Sequence, residues 1–539
     1  MSGSDRTSNG TRPLLDAVIV GAGFSGLYML HRLRQAGFRA LVLEAGSGVG
    51  GTWYWNRYPG ARCDIESTQY SYQFDEALQQ EWDWTERYAA QAEILRYAEH
   101  VADRFDLKRD IRFDTRVRAA AFDEAEAHWV VDTEAGDRLK ARFCIMATGC
   151  ISTANTPAFP GGDAFQGARY HTGRWPHEPV SFRGRRVGVI GTGSSAVQAI
   201  PLIAAEAAHL TVFQRTPNYT VPARNAPLDP EAQRRIKAEY DALRRRARQT
   251  RSGIDIVFGT KKALEVPPEE RLSEYEARWT MGGFGFTGAF ADIPLDPEAN
   301  RTAQDFIRAK IRETVHDPEV AALLSPTNTF GCKRLCVDTD YWATFNRANV
   351  TLVDVATTPI AALTEKGVMV DGREHAVDAL VFATGFDAMT GTLNRIDISG
   401  RGGARLKDKW QDGPRTYLGL GMAGFPNLFT VTGPGSPSVL TNMLPMIEQH
   451  VEWIAGCLIH LRRRGFREIE AAHDAEDVWV AHTAEVAGAT LRLTCNSWYL
   501  GSNIDGKPRV FMPYVGGFPA YVQKCEEVVA KGYDGFRLT

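Results

Sequence analysis

The sequence predicts an α/β protein with two separate strand–helix–strand units and a helical insertion. Three observations carry this. Two segments 170 positions apart, starting at Ala17 and Val187, repeat one pattern: a β-branched run, a glycine turn, a helix and a second apolar run. Two later apolar strands end in the same tripeptide, Ala147-Thr-Gly149 and Ala383-Thr-Gly385. Between those strands, residues 222–330 change composition to polar, helix-forming sequence such as Asp229 to Arg251.

The first unit reads Ala17-Val-Ile-Val-Gly21-Ala-Gly23-Phe-Ser-Gly26, a helix through Gln35, then Ala40-Leu-Val-Leu-Glu44. The second reads Val187-Gly-Val-Ile-Gly191-Thr-Gly193-Ser-Ser-Ala196, a helix through Ala204, then Leu210-Thr-Val-Phe-Gln214-Arg215. One glycine motif is weak evidence, but two in this context define a pair of Rossmann-like dinucleotide-binding domains. The first glycine permits the bend, the second lets the backbone approach a pyrophosphate, and Gly26 or Ala196 allows close helix–strand packing. The phosphates then meet the positive helix end, over Thr192, Gly193, Ser194, Ser195, Ala196, Val197 and Gln198 in the second unit.

The residue closing each second strand separates the two sites. Glu44, 23 positions after Gly21, can accept hydrogen bonds from a ribose 2′-hydroxyl. The same offset from Gly191 gives Gln214, with Arg215 beside it: no acid to repel a 2′-phosphate, and a cation to attract one. The first site therefore suits FAD or NAD, and the second NADPH. The expected order is a dinucleotide-binding domain over 1–152, an NADPH-binding domain over 153–386 with the 222–330 insertion, and a return to the first over 387–539. The run Arg244-Arg-Arg246 sits among Glu239, Asp241 and Glu231, and reads as a solvated helix face.

Composition bounds the function. A length of 539 residues implies two to four domains. Sixty-two basic and sixty-five acidic residues give a net charge of −3, which argues against a nucleic-acid partner. No apolar run is long enough to span a bilayer, and Met1 to Asp16 lacks the apolar core of a signal peptide, so a cytoplasmic protein is expected. The eight cysteines show no C-x-x-C and read as reduced thiols, with Cys332 assigned no role. No metal site is expected.

Between the two units lies Phe165-x-Gly167-x-x-x-His171-x-x-x-Trp175-Pro176. With it go Gly50-Gly-Thr-Trp-Tyr-Trp through Asp64, Gln214-Arg-Thr-Pro-Asn218, Gly331-Cys-Lys-Arg334, Gly433-Pro-Gly-Ser-Pro437 and Asn496-Ser-Trp-Tyr499. On these motifs the chain resembles the Baeyer–Villiger monooxygenases, FAD- and NADPH-dependent single-component flavoproteins, most of all the phenylacetone and steroid monooxygenase branch. The resemblance implies insertion of one atom of O₂ beside the carbonyl of an aryl, cyclic or bulky ketone, through a C4a-peroxyflavin, to give an ester or lactone. Such chemistry needs a fixed cation for the peroxide and for the adduct oxygen, and arginine keeps its charge at working pH.

By resemblance that cation is Arg334, held by Asp64, although an Asp–Arg pair alone reads equally as a structural salt bridge. Lys333 would join Arg215 and Thr216 at the NADPH 2′-phosphate. Thr52, Trp53, Tyr54, Trp55, Tyr70, Val117 and Met443 would contact FAD, with Glu44 on its ribose. Arg62 and Cys63 would line the nicotinamide side, and Trp498 would cover the NADP ribose from a C-terminal loop. His171 and Trp175 suit an interdomain positioning role rather than a catalytic one, and Ser438-Val-Leu440 resembles a substrate-pocket loop. The resemblance is compatible with a monomer or weak homo-oligomer. The alternatives are an N- or S-oxygenating flavin monooxygenase and a non-catalytic NADPH-binding redox sensor. A disulfide reductase is disfavoured because Cys63 has no cysteine near it in sequence.

Overall fold

The computed structural model describes residues 14–539, so most of the polar N-terminal stretch read above lies outside the described residues. The chain opens with β1 (Leu15–Val20), α1 (Phe24–Gln35) and β2 (Ala40–Leu43), the strands pairing in parallel. β3 (Ile111–Arg112) adds in parallel beyond β2, and the hairpins of β4 (Val117–Asp123), β5 (His128–Thr133) and β6 (Arg138–Met146) are antiparallel. β6 then runs parallel to β1, which places β1 inside the sheet.

That position explains its sequence. Successive side chains of a strand point to opposite faces, so a strand covered on both sides is apolar throughout. Ala17 and Ile19 enter one core with α1, while Val18 and Val20 enter another with Trp129 and Met146.

A second sheet holds five parallel strands: β7 (Ala168–His171), β8 (Arg186–Ile190), β9 (His209–Gln214), β10 (Val350–Asp354) and β11 (Ala379–Phe382), in spatial order β10-β9-β8-β11-β7. α2 (Ser194–Glu206) crosses from β8 to β9. β11 repeats the two-faced burial of β1, with Ala379 and Val381 in one core and Leu380 and Phe382 in another. After β11 the chain rejoins the first sheet through β12 (Asp397–Ser399), beside β4, and β13 (Leu428–Thr430), beside β6. A long helix, α3 (Met443–Arg464), then packs against α1 within the first core. The Ala-Thr-Gly tripeptides lie just beyond the C-terminal ends of β6 and β11, the edge at which open α/β sheets bind ligands.

The insertion is helical, with segments Pro230–Ala238, Tyr240–Arg248, Pro268–Met281, Pro297–Thr314 and Pro318–Leu324. Four of the five start with proline, a residue preorganised for the first helical turn. Two sequence expectations need correction. The arginine run is not a uniformly solvated face: Arg244 is buried, stacks on Tyr240 and donates to the Gln69 carbonyl at 3.1 Å and the Ser71 hydroxyl at 2.7 Å. Only Arg245 and Arg246 face solvent. The cysteines are not all free thiols either: Cys332 and Cys495 form a disulfide across 163 positions, and six cysteines stay free and buried.

No helix among the described residues is long and apolar enough to cross a membrane, and none of their acidic, histidine and cysteine groups could hold a metal.

Candidate active site

Both glycine turns fold alike because the same backbone demand recurs. Gly21 and Gly191 have φ of +105° and +108°, and a Cβ at either would lie 2.6 or 2.5 Å from the carbonyl oxygen of Ala147 or Ala383. Behind each turn a helix starts without a side-chain cap or an acidic residue in its first turn. The leading N–H groups of α1 and α2 therefore face the crevice unsatisfied, as an anion site requires.

The crevice has a volume of about 1980 Å³ and runs between the two sheets. Most predicted site residues stand on its wall: Gly21, Gly23, Glu44, Thr52, Trp53, Trp55, Arg62, Cys63, Asp64, Tyr70, Val117 and Met443 from the first sheet's side. Thr192, Gly193, Ser194, Ser195, Gln198, Arg215, Thr216, Lys333, Arg334 and Trp498 face them. Gly26, Tyr54, Ala196 and Val197 are not on the wall. A Cβ on Gly26 would fall 1.8 Å from the Gly21 oxygen, so this glycine lets α1 sit against the turn. Tyr54 packs under the turn at Gly46 and Gly48 and bonds Ser47 at 2.7 Å, while Ala196 and Val197 belong to the core.

At the FAD end, the Glu44 carboxylate accepts the Ala22 N–H at 2.6 Å and the Gly46 N–H at 2.7 Å. Burial pushes its carboxyl up, against the pull of those two backbone groups. Trp53 donates to the Tyr70 hydroxyl at 3.2 Å, fixing two aromatic walls edge to face. At the other end, Arg215 and Lys333 are cations with no ion pair among the described residues. Burial and then Arg215 push the Lys333 ammonium down. Two unpaired cations on one wall make a site for a multiply charged anion. Gln214 is not part of it, because its amide turns away to the Leu323 carbonyl at 2.8 Å.

Between the ends lies a half-buried ion pair, Arg334 with Asp64. Arg334 Nε donates to Asp64 Oδ2 at 3.1 Å, Nη1 donates to the Val439 carbonyl at 2.9 Å, and the guanidinium lies 5.2 Å over the Phe284 ring. Burial opposes the Arg334 charge, but Asp64, Tyr499 and Cys63 outweigh it and hold the proton firmly. Burial also lifts the Asp64 carboxyl above its ordinary range despite the arginine.

Gln198 on α2 locks the Asp64 loop to the second sheet. Its amide nitrogen donates to the Arg62 carbonyl at 3.1 Å and Asp64 Oδ1 at 3.4 Å, and its oxygen accepts from Tyr58 at 2.8 Å. The approach is so close that a Cβ on Gly60 would lie 2.4 Å from the Gln198 carbonyl oxygen.

His171 is buried and neutral, its proton affinity lowered by burial. Nε2–H donates to the Asn155 carbonyl at 3.1 Å and Nδ1 accepts the Gly173 N–H at 2.9 Å. It braces the linker beside Thr384 and does not line the crevice. Phe284 escaped sequence reasoning because no local pattern marks it; Val439 lies in the loop read as resembling a substrate-pocket loop, and the contact of its carbonyl with Arg334 arises only in the tertiary fold.

Two helix N-termini, a carboxylate at one end of the crevice, two unpaired cations at the other and a half-buried Asp–Arg pair between them fit an FAD- and NADPH-dependent flavoprotein oxidoreductase. Comparison with known proteins narrows the class. Residues 18–284 match the pyridine nucleotide-disulphide oxidoreductase family model. A phenazine N-monooxygenase of Lysobacter antibioticus is 43% identical over 97% of both chains. A Baeyer–Villiger monooxygenase of Pseudooceanicola batsensis is 42% identical over 96% of this chain and 95% of that one. An oxidized steroid monooxygenase bound to NADP superposes with a TM-score of 0.94 at 52% identity, covering 98% of this chain and 99% of that one. The chain belongs to the Baeyer–Villiger monooxygenase family, whose members use FAD, NADPH and O₂ to convert ketones to esters or lactones.

Proposed function

We propose that this chain oxidises aryl, cyclic or bulky ketones to esters or lactones, with Arg334 as the cation at the reacting centre and Asp64 as its anchor. The observation that carries the proposal is the half-buried Asp64–Arg334 contact on the crevice wall between the two glycine turns. The flavin supplies the redox chemistry and oxygen activation; the protein supplies position, charge and exclusion of water. Glu44 holds the FAD ribose, and Trp53, Trp55, Tyr70, Val117 and Met443 surround the remainder of that cofactor. Arg215, Thr216 and Lys333 take the NADPH 2′-phosphate, with Trp498 above the ribose. Arg334, backed by Asp64 and the Val439 carbonyl, points a permanent charge at the oxygen that becomes anionic as the ketone is attacked.

The protein acts as a cytoplasmic monomer or weak homo-oligomer. N- or S-oxygenation is the second reading, favoured by the likeness to the phenazine N-monooxygenase. A panel of ketones from cyclohexanone to a steroid, together with a phenazine, a tertiary amine and a sulfide, with NADPH and oxygen, separates the readings by which substrates gain an oxygen atom. Hydrogen peroxide as the only product across the panel would refute both. Arg334→Ala should still let NADPH bleach the flavin while yielding no ester; efficient ester formation by that variant would remove Arg334 from its assigned role.

A further inference from the structure

Cys332 and Cys495 come from different segments. Cys332 lies within the Gly331–Arg334 stretch, directly before Lys333 and Arg334, and is 1% exposed. Cys495 is half-buried, lines the crevice, and precedes Trp498 by three positions and Tyr499 by four. Around the disulfide the two segments share few other contacts: Arg492 Nη1 donates to the Gly331 carbonyl at 3.1 Å and Thr494 to the Thr329 hydroxyl at 2.7 Å. Past Cys495 the main chain largely bonds to itself, Leu500 N–H to the Ser497 carbonyl at 3.0 Å and Gly501 N–H to that of Trp498 at 3.1 Å. Asn503 then anchors it to the Phe386 carbonyl at 2.7 Å. The covering segment is thus held at its start by the disulfide and the Arg492 and Thr494 hydrogen bonds, and further along by the Met512 N–H to the Tyr499 carbonyl at 3.0 Å and the Asn155 amide to the Asn503 carbonyl at 3.0 Å.

We propose that the Cys332–Cys495 disulfide is a redox-sensitive tether that holds residues 495–503 over the NADPH side of the crevice and braces the Lys333–Arg334 stretch beneath it. It rests on the reading of that side as the NADPH site.

Two further observations support it. Tyr499 is buried among Val439 and Met512, and both Arg334 and Arg492 draw on its phenol, so a change at Cys495 reaches the reacting cation. The six remaining cysteines are buried and burial pushes each thiol up, which leaves this pair as the one that answers a mild reagent.

The reductant is a dithiol. Its thiolate attacks the more exposed Cys495 sulfur, breaking the S–S bond and releasing Cys332 as thiolate. The second dithiol sulfur then displaces Cys495 from the mixed disulfide. The dithiol leaves as a cyclic disulfide, and its two electrons and two protons appear as two cysteine thiols. Disulfides inside cells are usually transient, which fits a bond that a dithiol can open.

The test uses the FAD-loaded protein, with dithiothreitol as the reductant. Thiols titrated after denaturation should number six before reduction and eight after it. Reduction should speed hydrogen exchange over 495–503, weaken NADP⁺ binding about tenfold and raise the peroxide lost per NADPH. Cys332→Ser and Cys495→Ser should each reproduce the reduced state and no longer respond to dithiothreitol. Eight thiols before reduction, unchanged NADP⁺ affinity on reduction, or an equal response in the double variant would each overturn the tether. If neither variant folds, reduction followed by alkylation of the parent protein gives the same comparison. Failure of the oxidised protein to bind NADP⁺ would refute the cofactor reading instead, and the exchange rate over 495–503 would still decide the tether.

Discussion

Asp64→Asn isolates the charge in the half-buried Asp64–Arg334 pair while keeping its shape. The asparagine oxygen can still accept from Arg334 Nε, now at 3.1 Å from the carboxylate, but the charge assistance is gone. A hydrogen bond to a charged group contributes about 1.5–3 kcal/mol, roughly twice a neutral one, so removing the carboxylate charge while the bond survives should slow ester formation roughly 3- to 13-fold. The loss should stop short of abolition, because the Val439 carbonyl at 2.9 Å and the Phe284 ring at 5.2 Å still hold the guanidinium. Gln198 loses its acceptor at the second carboxylate oxygen, 3.4 Å away, where the asparagine NH₂ now stands, but keeps the Arg62 carbonyl at 3.1 Å. The assay pairs anaerobic stopped-flow bleaching of the flavin by NADPH with chromatographic yield of ester in air. Ester formation should fall well beyond any change in bleaching. Ester formation within about twofold of the parent rate would refute the anchoring role of Asp64, and an equal fall in both steps would place its effect in cofactor binding instead.

Lys333→Ala should raise the NADPH KM roughly 10- to 100-fold while leaving that for NADH nearly unchanged, since one of two cations for the extra phosphate is lost. A proportional loss with both nucleotides would show a general distortion. A third expectation concerns stability. Glu448 on α3 is buried, accepts the Gln73 and Phe74 N–H groups and leaves its second oxygen unpartnered. Burial lifts its carboxyl to about 7. The folded state therefore holds a proton that the unfolded chain releases near its ordinary value of 4.5, so this group's stabilisation is full below that pH and is lost as pH rises through about 7. Glu448→Gln, which needs no proton, should gain on the parent by about 3 kcal/mol between pH 4.5 and pH 8. Thermal melts across that range that run parallel for the two proteins would refute this.

The features read correctly from sequence are those whose chemistry lies within one local unit. The offset from Gly21 to Glu44 spans a single strand–helix–strand and places the carboxylate on the crevice wall; the same offset from Gly191 falls on Gln214, which turns away, and the neighbouring Arg215 takes the wall. The helical character of the insertion was legible from its polar composition, but the burial of Arg244 was not. Its partners, the Gln69 carbonyl and the Ser71 hydroxyl, lie more than 170 positions away, and three adjacent arginines look alike until a neighbour covers one. The disulfide was missed for the same reason: spacing rules find cysteines close in sequence, whereas Cys332 and Cys495 meet only after two loops converge. Tyr54 shows the limit of motif transfer. It lies in the right motif, yet alternation along one short turn sends its ring beneath Gly46 and Gly48 while Trp53 and Trp55 line the crevice.

The contact at Gly60 gives α2 a double duty. Its first residues, Ser194 and Ser195, face the place of the NADPH pyrophosphate, and one turn later Gln198 grips the strand of chain that ends in Asp64. A helix is stiff over so short a span, so the nucleotide's phosphates and the reacting end of the crevice are separated by a single lever arm. With no side chain at Gly60 to act as a cushion, a shift at one end of that arm is handed to the other. The stretch of helix that lines the crevice at Ser194 and Ser195 is therefore also the one that fixes the Asp64 end of it, through Gln198.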